Sequence, residues 1–433
     1  MIRHAPLRDE QLPRFPIERC RLANGLRIVV QPDPRWPLIA SMVCYGAGSR
    51  CDPVSRSGLA HLAEHLAFYG PQCASGRTFP RRIEIVGGSA QAVTMTDRVC
   101  FSAVFPRRDL AEVLAVEVER MARPLQPRDI DAIEIQRRVL LEELRYRSQS
   151  RLRAAAFEHI HRCLYSKGHP YHQPPAGEPD GIRAVTADEV EAFVASRFSP
   201  NNAVVVLAGD VTAAAAFDLV KRAFETLPEA VESPAGDAVA GEQPAGGRAV
   251  RVPAAIPAAR THVAWSVPGF GHEGWHVATL LVRGLTAGRS SPLARELVDR
   301  AGVAQEVRGS LVTMRDASTL VFAATAARGI DTPRLEQGLR VASDRLLSDG
   351  LAAAALARAR KKALSDHYGA AASLERRADL CAALTCYLDA PDRLEREPQR
   401  YLHPTVDDVN DFASGLRTHT SALFSFIPAA EAA

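Results

Sequence analysis

The sequence predicts an α+β protein built as a duplication: two homologous α+β halves, each a sheet packed with helices, joined by a linker. Three observations predict it. Thr186-Ala187-Asp188-Glu189-Val190-Glu191-Ala192-Phe193 and Thr405-Val406-Asp407-Asp408-Val409-Asn410-Asp411-Phe412 share Thr, Asp, Val and Phe at the same offsets. Each copy opens with a Thr N-cap and an acid three residues on, and each is followed by a strand-like run, at 203–208 and 421–427. Between them, 229–247 is rich in Ala, Gly, Pro and Glu, the composition of a flexible linker. The expected division is 1–230, a linker over 231–250, and 251–433.

The remaining elements follow from local signals. Asn24-Gly25 stands between two alternating runs, the strongest short-range hairpin cue. A strand over 38–45 stops at Gly46-Ala47-Gly48, and from 58 to 68 the apolar pattern takes the helical period. The chain has 433 residues, 47% hydrophobic and 24% charged, an ordinary globular composition with room for two or three domains. Lys+Arg is 53 and Asp+Glu is 50, a net charge of +3, too balanced to predict a nucleic-acid or membrane-surface partner. No apolar run approaches the roughly 18 residues that span a bilayer. The first ten residues carry acids and no apolar core, so they do not read as a secretory signal and a cytoplasmic location is expected. The eight cysteines (20, 44, 51, 73, 100, 163, 381 and 386) form no C-x-x-C pair and are expected as reduced thiols, several of them in the core.

The chemistry lies in Gly58-Leu59-Ala60-His61-Leu62-Ala63-Glu64-His65-Leu66-Ala67-Phe68. Positions i and i+4 share a helix face, so His61 and His65 aim two imidazoles at one point. Glu64 lies at the edge of that face. Two neutral imidazoles suit Zn²⁺, and a non-ligating carboxylate beside them suits a general base. The order is H-x-x-E-H, the inverse of the commoner H-E-x-x-H. Leu59, Ala60, Leu62, Ala63, Leu66 and Ala67 make the helix apolar nearly all round and hence buried, so its three ionisable groups need partners.

On these residues the chain resembles the insulinase-type zinc metallopeptidases (peptidase family M16, the inverzincins). In length it is similar to the mitochondrial-processing-peptidase type, as a bacterial zinc-bearing subunit. Gly46-Ala47-Gly48-Ser49-Arg50, Gly87-Gly88 through Thr94 and Asp97, His169-Pro170-Tyr171, Pro200-Asn201-Asn202 and Gly209-Asp210 carry the resemblance further. It implies two halves facing each other around a chamber, a Zn²⁺ cofactor and a peptide substrate. It implies a third ligand from a second helix, where Gln136-Arg137-Arg138-Val139-Leu140-Leu141-Glu142-Glu143-Leu144 aligns Glu143 at the ligand position, with Glu142 as the alternative. It implies peptide binding by strand addition at Gln91, Ala92, Val93 and Thr94, and a residue beside the ligands at Gln136, where the family usually has Glu. In the implied mechanism His61, His65 and Glu143 bind the ion, and Glu64 takes a proton from water and passes it to the leaving amine.

Two positions depart from the family pattern. Single-chain members carry an Arg and, seven residues on, a Tyr that grip the scissile carbonyl region; the aligned positions here are Val298 and Gln305. Arg295 or Arg300 would replace the Arg only with a shift of register. The expectation is therefore a zinc endopeptidase that matures or degrades a precursor peptide, with a homologous partner subunit supplying the Arg/Tyr pair. The competing expectation is a non-catalytic peptide-binding or assembly subunit of the same fold.

Overall fold

The computed structural model describes residues 14–70, 77–122, 130–150, 152–229 and 249–431. The first half holds a six-stranded sheet: β1 (Glu18–Arg21), β2 (Arg27–Pro32), β3 (Leu38–Tyr45), β4 (Ser89–Thr94), β5 (Val99–Pro106) and β6 (Ala203–Gly209), in the order β1-β2-β6-β3-β5-β4. The second half holds β7 (Ala249–Ala254), β8 (Arg260–Pro268), β9 (Ala304–Val312), β10 (Ala317–Ala326) and β11 (Ser421–Pro428), in the order β7-β11-β8-β10-β9. β2 runs parallel to β6 and β7 parallel to β11; the other pairs are antiparallel. Apart from β1, the two sheets have the same order and the same directions, so the duplication read from two short segments extends through both halves.

The helices that matter here are α1 (Leu59–Tyr69), α2 (Ile130–Ser150), α3 (Leu152–Leu164), α4 (Ala187–Arg197), α5 (Glu273–Thr286), α6 (Ala353–Ala372), α7 (Leu374–Leu388) and α8 (Val406–Leu416). α4 and α8 are the duplicated segments. Thr186 and Thr405 cap them, and each forms a reciprocal capping box, with Glu189 and Asp408. Glycine serves the Asn24-Gly25 hairpin at φ 82°, a left-handed conformation that costs it no Cβ clash.

The central strands of each sheet are buried on both faces. On one face of the first sheet, Ile28, Val30, Val43, Phe101 and Leu207 pack against the apolar side of α1. On the other, Val29, Met42, Val204 and Val206 pack against Ala378, Cys381, Ala382 and Leu384 of α7, a helix of the second half. The exchange is reciprocal. Ala156, Ile160 and Leu164 of α3 cover Ala264, Val321, Phe424 and Phe426 of the second sheet. Each half thus lends one helix to the back of the other's sheet, and the halves are joined by packed cores. The linker expected over 231–250 lies mostly outside the described residues, and its last two positions already belong to β7.

One expectation is corrected. Cys44 and Cys100 face each other in the β3–β5 register with Cα atoms 4.2 Å apart, and they are joined as a disulfide rather than held as thiols. They are 56 residues apart in sequence, and only the antiparallel register brings them together. Cys20, Cys51, Cys163, Cys381 and Cys386 are free. Trp265 and Trp275 pack in the second core. Among the described residues no helix is long and apolar enough to cross a membrane.

Candidate metal centre

α1 starts at Gly58, whose φ of 101° turns the chain into the helix in a conformation that side chains resist. A distant carboxylate caps it. Asp52 Oδ2 accepts from the Gly58 N–H at 2.7 Å and Oδ1 from the Ala60 N–H at 2.9 Å. Burial pushes the Asp52 carboxyl up to about 7, against the pull of the Gly58, Ala60 and Leu59 N–H groups. Sequence reasoning passed over Asp52, because it lies outside the three- to four-residue window of a local cap.

His61, Glu64 and His65 are each 5% exposed. The two imidazoles stand 4.8 Å apart between ring centres and nearly perpendicular, at 84°. His61 Nδ1 donates to the Ala176 carbonyl at 3.0 Å, which puts the proton on Nδ1 and leaves Nε2 as the donor atom for a metal. His65 Nδ1 is buried with no hydrogen-bond partner among the described residues, and so is Gln136 Oε1. α2 crosses α1 and brings Glu143 to within 3.5 Å of His65, Oε2 to Nε2. That is long for a hydrogen bond and matches the roughly 3.4 Å between two donors each about 2.1 Å from one tetrahedral ion. One ligand atom each from His61, His65 and Glu143 lies within 4.8 Å of the others. Two neutral imidazoles and a carboxylate are a donor set that suits zinc. Glu142, the alternative, points away: its side chain is 69% exposed and pairs with Arg145.

Glu64 is held from the sheet. The Thr94 hydroxyl donates to Glu64 Oε2 at 2.8 Å. Thr94 was expected to touch substrate; what the structure shows is its hydroxyl orienting this carboxylate. Thr94 ends β4, which is the outermost strand of the sheet and pairs with β5. Along β4, Ser89, Gln91 and Val93 are exposed while Ala90, Ala92 and Thr94 are half-buried. Ala90 through Thr94, with residues of α1 and α2, line a cavity of about 650 Å³. Gln136 and Val139 complete its α2 wall, and the whole lining comes from the first half.

The remaining positions lie outside the lining of this cavity. Val298 lies against the second core, and Gln305 is exposed on β9. Arg300 pairs with Glu296. His161 meets the Thr319 hydroxyl, His172 the Tyr165 carbonyl, and His169 stacks on Tyr165.

The chain is similar to proteins already known. Residues 27–174 match the family model described as Insulinase (Peptidase family M16), and 184–363 match the one described as Peptidase M16 inactive domain. The zinc protease PqqE of Helicobacter pylori is 28% identical over 326 residues, covering 74% of this chain and 72% of its own. The mitochondrial-processing peptidase subunit beta of Lentinula edodes is 25% identical over 209 residues, 48% of this chain and 44% of its own. The crystal structure of a protease from Helicobacter pylori superposes with a TM-score of 0.85 at 25% identity, covering 96% of this chain and all of that one. A Pseudomonas fluorescens structure described as a peptidase M16 inactive domain shares the fold, with a TM-score of 0.79 at 18% identity over 95% of this chain and 98% of its own. With both halves matched by models of one family, the chain belongs to peptidase family M16, the insulinase family.

Proposed function

We propose that this chain is a zinc-dependent endopeptidase, the metal-bearing subunit of a heterodimer that matures or degrades a precursor peptide. The observation that carries the reading is the convergence of His61, His65 and Glu143 on one point, with Glu64 beside them. His61, His65 and Glu143 would hold the ion; zinc, when bound, supplies Lewis acidity and makes water easier to deprotonate. Glu64 takes the proton of the attacking water and returns it to the leaving amine. The Thr94 hydroxyl occupies Glu64 Oε2 and fixes the plane of the carboxylate, so the base is oriented before substrate arrives. An extended peptide adds to the outer edge of β4, with alternate side chains directed into the cavity. Val298 and Gln305 offer no cation or phenol, so the partner subunit supplies that function in trans.

The test is zinc content and cleavage of a quenched peptide library, for the chain alone, with a homologous partner, and as Glu64→Gln. Both forms are expected to bind one zinc. Glu64→Gln is expected to lose about 10²- to 10⁴-fold in turnover. Full turnover by the lone chain would sink the partner requirement. Bound zinc without turnover, even with a partner, would favour the non-catalytic peptide-binding subunit that Val298 and Gln305 also suggest.

A further inference from the structure

A polar cluster that the proposed chemistry does not use lies where the two halves meet, buried on the first half's side and more open on the second's. Asp97 is 4% exposed and Tyr171 fully buried. The Tyr171 hydroxyl donates to Asp97 Oδ1 at 3.0 Å and accepts from the backbone N–H of Asp316 at 2.9 Å. Asp97 Oδ2 accepts from the backbone N–H of Arg315 at 2.8 Å. Arg50 Nη1 lies 3.1 Å from Asp97 Oδ1 and 2.8 Å from Asp316 Oδ2, and the Arg315 guanidinium closes on Asp316. Asp97 is thus matched by a guanidinium, a phenol and one backbone donor, which is how a buried carboxylate is retained in a core, while Arg50 and Arg315 hold the more exposed Asp316.

Arg315 and Asp316 belong to the second half, in the turn between β9 and β10. The three groups that receive them belong to the first half, and each lies on a segment that continues into the metal site. Asp97 follows Thr94 by three residues, and Thr94 holds Glu64. Ser49 and Arg50 donate their backbone N–H groups to the Met95 and Thr96 carbonyls, and two residues later Asp52 caps α1. Tyr171 begins the stretch that ends at Ala176, whose carbonyl holds the His61 ring.

We propose that the Arg315-Asp316 turn is a positioning element for the metal site: the second half sets the orientation of His61 and Glu64 through Asp97, Arg50 and Tyr171. The inference rests on the metal-site reading above. It gives the half whose family model is described as inactive a direct part in shaping the site.

The test is zinc affinity, by competition with a chromophoric chelator, beside the thermal midpoint, for the full chain and four variants. Tyr171→Phe removes the bridging hydroxyl, and Asp316→Ala removes the carboxylate that Arg50 and Arg315 share. Both are expected to weaken zinc binding at least tenfold, the range seen when groups that orient metal ligands are lost. Asp316→Asn keeps an acceptor oxygen for Arg50 and is expected to stay within threefold of the parent. Leu335→Ala opens a cavity in the second core away from this cluster, and it is expected to lower the midpoint with affinity unchanged. Affinities of Tyr171→Phe and Asp316→Ala within threefold of the parent would overturn the proposal. So would an equal loss in Leu335→Ala, since affinity would then simply follow stability. A parent that binds no zinc would overturn the metal-site reading itself.

Discussion

Asp52 shows how far the support of a site extends beyond its reacting groups. Its carboxyl satisfies N–H groups at the start of α1, the turn that leads directly to His61. Asp52→Ala leaves these buried donors without a partner and is expected to cost about 1–3 kcal/mol in urea unfolding. The side chains that carry the proposed chemistry were legible in the sequence. His61, Glu64 and His65 lie four residues apart or fewer, so helix geometry alone brings them together. The groups that orient them were not legible. The Ala176 carbonyl has no side-chain signature, and Asp52 acts across a turn whose path depends on Gly58.

At the scale of elements, strand runs such as Val204-Val205-Val206 have no alternation because both faces of the central strands are covered. Local signals placed several elements closely. The Asn24-Gly25 hairpin and the two capped helices fall where their turn and cap residues put them, and α1 falls where its apolar period does. What covers the back of each sheet was hidden, because α3 and α7 reach across to the other half. Ile160 of α3 is fully buried against the second sheet. Ile160→Ala is expected to cost about 2–5 kcal/mol, and because the cores are shared, both halves should unfold together in one weakened transition. In a Trp36→Phe background, tryptophan fluorescence of Trp265 and Trp275 would follow the second half, and far-ultraviolet circular dichroism the whole. A first half that keeps its stability while the second melts early would contradict this coupling.

The whole molecule carries a pH signature of the joint between its halves. His161 of α3 sits buried beside Thr319 of the second sheet. Burial, with His169 nearby, lowers its pKa from 6.5 to about 4. The folded chain therefore holds a neutral ring where the unfolded chain binds a proton. Stability from this group is complete above pH 6.5 and is lost as pH falls from 6.5 to about 4, at up to about 1.4 kcal/mol per pH unit. Asp33 acts lower. Its contacts with Arg35, then Arg377, hold its carboxyl well below the usual range, so its contribution is present above pH 3.8 and fades below that. Urea midpoints taken from pH 7 to pH 4.5 should fall in the parent and fall less steeply in His161→Asn. Equal slopes would show that His161 is not the group being titrated.

The sequence by itself determined what lies within a few residues along the chain: hairpin, caps, the periodic metal helix and the duplication written into two capped segments. It also pointed, through alignment to a family pattern, to Glu143 on a second helix. Only the tertiary structure decided the Cys44–Cys100 bond, the exchange of α3 and α7, the cap from Asp52 and the meeting of Asp97 with the Arg315-Asp316 turn. The physical reason is range. Helix and turn geometry fix neighbours three or four residues apart, whereas groups separated by tens or hundreds of residues meet only once strand register and core packing have brought their elements together.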